Sequence, residues 1–90
     1  MLYTFIMEFR GGTYVSQVQS KSMNDACNKW ANNIDVSAIK YFNEGIRKKL
    51  VLEITNEEDK PSKLKGLRNV FYTGVILGRH MAHISIVLTK

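Results

Sequence analysis

The two histidines of the chain, His80 and His83, lie within its most hydrophobic stretch, GVILGRHMAHISIV. Histidine binds metals and exchanges protons near neutral pH, so this pair is the first candidate for chemistry. Residues three apart on a strand point to opposite faces, and the two rings therefore cannot chelate one metal together. His80 adjoins an expected turn, where a partly exposed side chain without a catalytic partner is the simpler interpretation.

His83 is the better candidate, because the strand pairing described below sets it opposite Gly74 on one sheet face. Tyr72 and Ser85 are then its neighbours, and an enzyme built around Tyr72, His83 and Ser85 is the least favoured of three functional hypotheses. We expect no catalysis, because no nucleophile has an identified base. The candidate contact residues on this face, two of them from the first hairpin, are Glu8, Gln17, Tyr72, His83 and Ser85.

Other reactive side chains do not form a recognised motif. Cys27 and Trp30 lie on an apolar helical stripe and are expected in the core rather than at a reactive site. The acidic run 57–59 lacks the spaced oxygen ligands and the glycine of a calcium loop. The sequence also contains no zinc-type CxxC pair, no HExxH and no catalytic-serine motif. We therefore predict neither a metal site nor a cofactor.

Basic residues supply the second functional hypothesis, a nucleic-acid-binding domain that uses residues 47–49 and 60–68. The chain has thirteen basic and eight acidic residues and a formal charge of +5. Clustered cations can contact phosphates, but no recognition motif accompanies them here. The candidate basic patch consists of Arg47, Lys48, Lys49, Lys63, Lys65 and Arg68.

Composition predicts one globular domain over residues 1–90, since the hydrophobic and charged contents are 44% and 23%. No apolar run approaches the ~20 residues that span a membrane, so we expect no membrane partner. The single cysteine fits a reducing compartment, and the start MLYTFIMEFR has no signal-peptide pattern, so a cytoplasmic location is expected.

The first hairpin is predicted from LYTFIMEF and TYVSQVQ, which flank Arg10-Gly-Gly-Thr13. With Gly11 and Gly12 as the loop, Arg10 pairs with Thr13 and Phe9 with Tyr14. The face intended for the core carries Tyr3, Phe5, Met7, Phe9, Tyr14 and Val18.

A helix follows in SMNDACNKWANNI, where Ser22 and Asp25 resemble a capping box. Its apolar stripe consists of Met23, Ala26, Cys27, Trp30, Ala31 and Ile34. Ser37 is expected to cap a short turn through residues 38–42. Residues 44–56 are predicted as a second helix, with a strand at KKLVLEIT as the alternative. The charged segment NEEDKPSKLKGLR is interpreted as a loop.

The last segment predicts a second hairpin with Gly78-Arg79 as a type II′ turn, which pairs Leu77 with His80. The fold class is therefore α+β, a two-layer ββααββ domain with a four-stranded antiparallel sheet and both helices on one face.

The face away from the helices keeps many apolar residues, which leads to the favoured hypothesis. We expect a small non-catalytic binding or adaptor domain, self-associating into a homodimer or binding another protein. These apolar residues are Ile6, Val15, Val70, Tyr72, Ile76, Met81 and Val87.

The opening strand, short turn, strand and capped helix resemble the start of HicB-type antitoxin domains. The resemblance covers about a third of the chain and the rest departs from that family, so it implies no function here.

Overall fold

The computed structural model describes residues 1–56 and 61–89 and shows an α+β fold. Its elements are β1 (Leu2–Phe9), β2 (Gly12–Gln19), α1 (Met23–Asn32), a 3₁₀ turn (Val36–Ala38), α2 (Glu44–Ile54), β3 (Ser62–Lys63), β4 (Val70–Leu77) and β5 (His80–Leu88). The strands form one antiparallel sheet in the order β2-β1-β5-β4-β3. The α+β class and the antiparallel sheet are confirmed, but the sheet has five strands rather than four.

The first hairpin turns one residue earlier than predicted. Phe9 pairs with Gly12, so Arg10 and Gly11 are the loop, with φ of 48° and 86°. A type I′ turn needs positive φ at both central residues, and Arg10 adopts it with its guanidinium carbon 3.8 Å from the centre of the Tyr41 ring. The predicted pairs Arg10–Thr13 and Phe9–Tyr14 are therefore wrong. The predicted faces are right, because the error in register is an even number of residues.

The second hairpin has the predicted register. Leu77 pairs with His80 and Phe71 with Ile86, around a turn in which Gly78 has φ of 70°. The two hairpins are joined side by side where β1 pairs with β5, so that Glu8 lies opposite His83. This central pairing, which the sequence did not specify, places residues of both hairpins on a common face.

Helix α1 begins at the predicted cap, because the Ser22 hydroxyl accepts a hydrogen bond from the Asp25 backbone N–H. The Asp25 carboxylate does not complete a capping box but accepts from the Ser20 hydroxyl and pairs with Lys29. The Ser20 hydrogen bond, followed by Lys29, lowers the pKa of Asp25. The predicted stripe is confirmed: Ala26, Cys27, Trp30 and Ala31 are buried, with Met23 and Ile34 packed beside them.

The middle of the chain is helical, as favoured, but its caps differ from the prediction. Asp35 caps the 3₁₀ turn, and Ser37 donates its backbone N–H and its hydroxyl to that carboxylate. The turn predicted from Ser37 onward is therefore wrong. Asn43 caps α2, so Gly45 falls in the first helical turn rather than in the interior, where it would cost more.

Strand β3 is the element that the sequence did not predict. Ser62 and Lys63 pair with Tyr72 and Phe71, within a segment interpreted as a loop. Two residues are too short to show the alternation that identifies a strand. The predictions for residues 57–60, including the acidic run and Lys60, lie outside the described residues.

Both helices pack on one face of the sheet. Phe5, Met7, Ile84 and Ile86 are fully buried there, and the Phe5 ring stacks on that of Trp30 at 4.6 Å between centroids. Within residues 1–56 and 61–89, no helix is long and apolar enough to cross a membrane.

Candidate binding surface on the outer sheet face

The sheet face opposite the helices, called the outer face below, is built from alternate residues of four strands. β1, β2, β4 and β5 each contribute four positions, sixteen in all. They are Leu2, Thr4, Ile6, Glu8, Thr13, Val15, Gln17, Gln19, Val70, Tyr72, Gly74, Ile76, Met81, His83, Ser85 and Val87. Glu8 is the only one of the sixteen with a formal charge when the histidines are neutral.

A polar pair lies near the centre of the outer face. The Tyr72 hydroxyl lies 2.6 Å from Nδ1 of His83, and the two rings are 28° from parallel. Gly74, directly opposite His83, makes this contact possible. A Cβ at position 74 would lie only 2.9 Å from the Tyr72 hydroxyl oxygen and 3.0 Å from the Met81 sulfur. The tyrosine therefore crosses the sheet over a glycine to reach the histidine.

Four of the five candidate contact residues are neighbours. His83 and Ser85 lie on β5. Glu8 on β1 lies opposite His83, and Tyr72 on β4 lies opposite Ser85. Gln17 does not join them, because it lies on β2, two strands away from β5, and donates to the Thr4 hydroxyl at 3.0 Å. Within the described part of the chain, the Glu8 carboxylate has no hydrogen bond or ion pair.

The geometry of this cluster does not correspond to a catalytic site of a familiar kind. Glu8 is not hydrogen-bonded to the His83 ring, so a histidine oriented by a carboxylate is not formed. Two cavities lie elsewhere, one along β2 and one between α1 and Phe71, and neither is lined by His83. Among the described residues, no three His, Cys, Asp or Glu side chains are grouped to hold a metal ion. The absence of catalysis stays a prediction.

Around the polar pair, the outer face exposes large apolar side chains. Val15, Ile76 and Met81 are 63%, 59% and 44% exposed. Ile76 pairs with Met81 beyond the His83–Gly74 pair, and Val15 pairs with Ile6 on the same face, in the half of the sheet formed by β1 and β2. A nearly uncharged face with exposed aliphatic groups and a central tyrosine has the composition of a protein–protein interface.

The two other reactive residues are in the core, as predicted. Cys27 is buried, and this burial raises the pKa of its thiol to about 12. A thiol that stays protonated at neutral pH is a poor nucleophile. Trp30 is 5% exposed and donates its indole N–H to the Ser16 hydroxyl at 3.0 Å.

His80 is exposed beside the turn, as expected, with its ring 6.5 Å from that of Phe9 in an edge contact. It points to the helix side of the sheet and His83 to the other side. The two side chains therefore point to opposite faces of the sheet, as the spacing predicted.

The candidate basic residues have several local partners. Arg47 pairs with Glu44 at 2.6 Å and donates to the Asn32 backbone carbonyl, and Lys49 pairs with Glu53 at 3.0 Å. The others are exposed and lie on α2, on β3 and in the turn after it: Lys48, Lys63, Lys65 and Arg68. No described contact joins the cations of α2 to those of residues 61–68.

Sequence reasoning missed one feature, an open cavity of about 490 Å³ beside β2. Its lining includes Trp30 and Ile34, which were interpreted only as members of the apolar helical stripe. No local pattern reveals such a cavity, because strand order decides which strand has an unpaired edge, and strand order was not predicted.

Comparison of the chain with protein-family models, with curated proteins and with solved structures gives no match.

Proposed function

We propose that the chain is a small protein-binding domain that associates with a second copy of itself through the outer face. The observation that carries this proposal is the charge distribution: one of sixteen outer-face positions has a formal charge, in a chain with 23% charged residues. Depletion of charge together with exposed aliphatic and aromatic groups is typical of the centre of an interface.

The net charge of the chain favours this face for contact between identical copies. Two molecules that each carry +5 repel one another, and the repulsion is smallest where cations are absent. No lysine or arginine lies on the sixteen outer-face positions. The helix side, in contrast, exposes Lys48 and Lys49, so two copies that met there would bring like charges together.

Packing of two sheets face to face also accommodates the polar centre. Buried polar groups cost little when they are hydrogen-bonded, and the Tyr72 hydroxyl already pairs with Nδ1 of His83, which leaves Nε2 to be paired across the interface. Glu8 remains, and it lies beside His83 on the neighbouring strand. A two-fold axis between the sheets, parallel to β1 and β5 and midway between them, would place each Glu8 over the second copy's His83. An opposed acid and imidazole would then lie at the centre of the interface.

Ile76→Lys tests the proposal, with Leu52→Lys as the matched control. Ile76 lies on the outer face and is 59% exposed, whereas Leu52 lies on α2 and is 70% exposed. Both variants replace an exposed aliphatic residue by the same cation. We expect light scattering at micromolar concentrations to show twice the monomer mass of 10.3 kDa for the wild-type chain and for Leu52→Lys.

For Ile76→Lys we expect the monomer mass, because a cation buried at an interface without a partner is costly. Circular dichroism checks that each variant is folded. A monomeric wild-type chain at every concentration would refute self-association. A dimer that Leu52→Lys disrupts and Ile76→Lys does not would place the interface elsewhere.

A further inference from the structure

The two edges of the sheet differ in how they are protected. The β3 edge has a strand of two residues, one of them Lys63, directly after Pro61. Short edge strands, lysine and proline are the devices that prevent an edge from pairing with another chain. The β2 edge has none of them. It is eight residues long, GTYVSQVQ, with no charge and no proline.

The backbone groups that β2 directs away from the sheet can be assigned. The Ser20 N–H donates to the Met1 carbonyl at 2.9 Å, and the Thr89 N–H donates to the Leu2 carbonyl at 2.8 Å. These bonds fix the alternation of the antiparallel ladder. Pairing with β1 therefore uses the backbone of the even-numbered residues of β2. The N–H and C=O groups of Thr13, Val15 and Gln17 point outward, and no described group pairs with them.

A groove runs along the same edge. The cavity of about 490 Å³ is lined by Thr13, Val15 and Gln17 and also by their neighbours on the helix side of β2. Residues that point to opposite faces can line one cavity only where it lies along the edge of the strand. Its other wall comes from the end of α1 and the segment after it. The wall combines the apolar Trp30, Ile34, Ala38 and Ile39 with the polar Asn33 and Asp35.

We propose that the β2 edge binds an extended segment of a partner protein, which adds to the sheet as a sixth strand. Main-chain hydrogen bonds to Thr13, Val15 and Gln17 hold such a segment, and its alternate side chains enter the groove. The wall beside Trp30 and Ile34 selects apolar side chains at those positions. The Asp35 carboxylate, held by Ser37 in the lining of the groove, favours a basic residue nearby.

A second copy of this chain fits this edge less well. An antiparallel β2–β2 pair has its two-fold axis normal to the sheet, so both grooves lie on the same side and open toward one another. The residue that β2 directs to the helix side at the centre is Ser16, which is too small to fill a groove. Tyr14 also cannot enter it, because its hydroxyl is held by the Lys40 backbone N–H at 3.3 Å. Unfilled apolar space forfeits packing contacts.

The test uses octapeptides selected from a random phage-displayed library on the wild-type chain and then synthesised. Binding is followed by fluorescence of Trp30, the only tryptophan, which lines the groove. Val15→Pro removes an outward N–H that the β1–β2 ladder does not use, so we expect the fold to tolerate it. Val15→Thr is the matched control, because it keeps the N–H and the branched Cβ. Ala38→Arg fills the groove from an exposed position without changing the edge.

We expect the selected peptides to alternate apolar and polar residues without proline and to protect the amides of Thr13, Val15 and Gln17 from hydrogen exchange. Val15→Pro and Ala38→Arg should each weaken binding by about tenfold or more, and Val15→Thr should have little effect.

Three results would overturn the proposal. The library could yield no peptide that saturates, or the selected peptides could bind Val15→Pro as tightly as wild type. The amides of Thr13, Val15 and Gln17 could also be protected from hydrogen exchange in the absence of peptide. If that protection were lost on dilution to the monomer, the edge would pair with a second copy. Because Val15 also lies on the outer face, the peptides are titrated against Ile76→Lys as well, which removes outer-face association and leaves the β2 edge intact.

Discussion

The Tyr72 hydroxyl reaches Nδ1 of His83 across Gly74, at a distance of 2.6 Å, and joins two strands of the outer face. A Cβ at position 74 would lie 2.9 Å from the phenol oxygen, so a side chain there would displace the tyrosine from this position. A second tyrosine in the sheet also lies over a glycine two residues away, since the Tyr14 ring covers Gly12. On the outer face the tyrosine hydroxyl pairs with Nδ1 of His83, and the second ring nitrogen is left for a partner across an interface.

The first prediction concerns the His83 tautomer. A tyrosine hydroxyl donates readily, so Nδ1 of the neutral ring accepts and Nε2 carries the proton. Nitrogen-15 chemical shifts of the imidazole, measured in a Tyr72→Phe variant and in wild type, check this directly. We expect mainly the Nε2–H form in wild type and a shift toward a mixture of tautomers in the variant. A wild-type ring protonated at Nδ1 would mean that the hydroxyl is an acceptor.

The second prediction follows from the buried thiol of Cys27, whose pKa rises from 9.0 to about 12 because of its burial. At a pH between these two pKa values, the unfolded chain has released the thiol proton and the folded chain has kept it. The free energy of unfolding therefore falls as pH rises, by up to about 1.4 kcal/mol per pH unit from this group. Urea denaturation at a series of pH values above neutrality measures the slope.

Cys27→Ala is the control for this slope, since lysines and tyrosines also titrate in the same range. The variant keeps the contribution of those groups and lacks that of the thiol, so its stability should fall less steeply than that of wild type. Parallel slopes for the two proteins would show that the thiol is as accessible in the folded chain as in the unfolded one.

The sequence predicted the parts of the fold that local chemistry determines. Ser22 and the apolar stripe define α1, and Gly78 defines the second hairpin to the residue, because a turn that needs positive φ at its first position selects glycine. The turn of the first hairpin was predicted one residue too late, because Gly11 and Gly12 look equivalent in the sequence. The structure uses Gly12 within the strand, under the Tyr14 ring, and this contact depends on the folded sheet.

Features that depend on strand order were not predictable from a single sequence. The neighbours of His83 on β4 followed from the hairpin register, whereas Glu8 could only be proposed conditionally, because it requires β1 to pair with β5. Gln17 was included on the same condition and lies two strands away. The open edge of β2 and its groove depend on the same long-range pairing.

The third prediction concerns the nucleic-acid alternative. That hypothesis requires binding at low salt which weakens steeply with added salt, and a loss of affinity on every sequence when Lys48 and Lys49 are changed to glutamate. Because Arg47 and Lys49 already pair with acids, we expect no saturable binding of labelled RNA or DNA at physiological salt. Tight binding there, abolished by the double variant, would favour the alternative over self-association.

The central claim, association of two copies through the outer face, is tested most directly by intermolecular nuclear Overhauser effects. A sample mixed from isotope-labelled and unlabelled chains reports only contacts between different copies. We predict such contacts between outer-face groups that the proposed two-fold axis brings together, such as Val15 with Tyr72 and Ile76 with Thr13 of the second copy. Contacts confined to Leu52, Leu64 and Leu67, the exposed leucines away from this face, or no intermolecular contact at millimolar concentration, would contradict the claim.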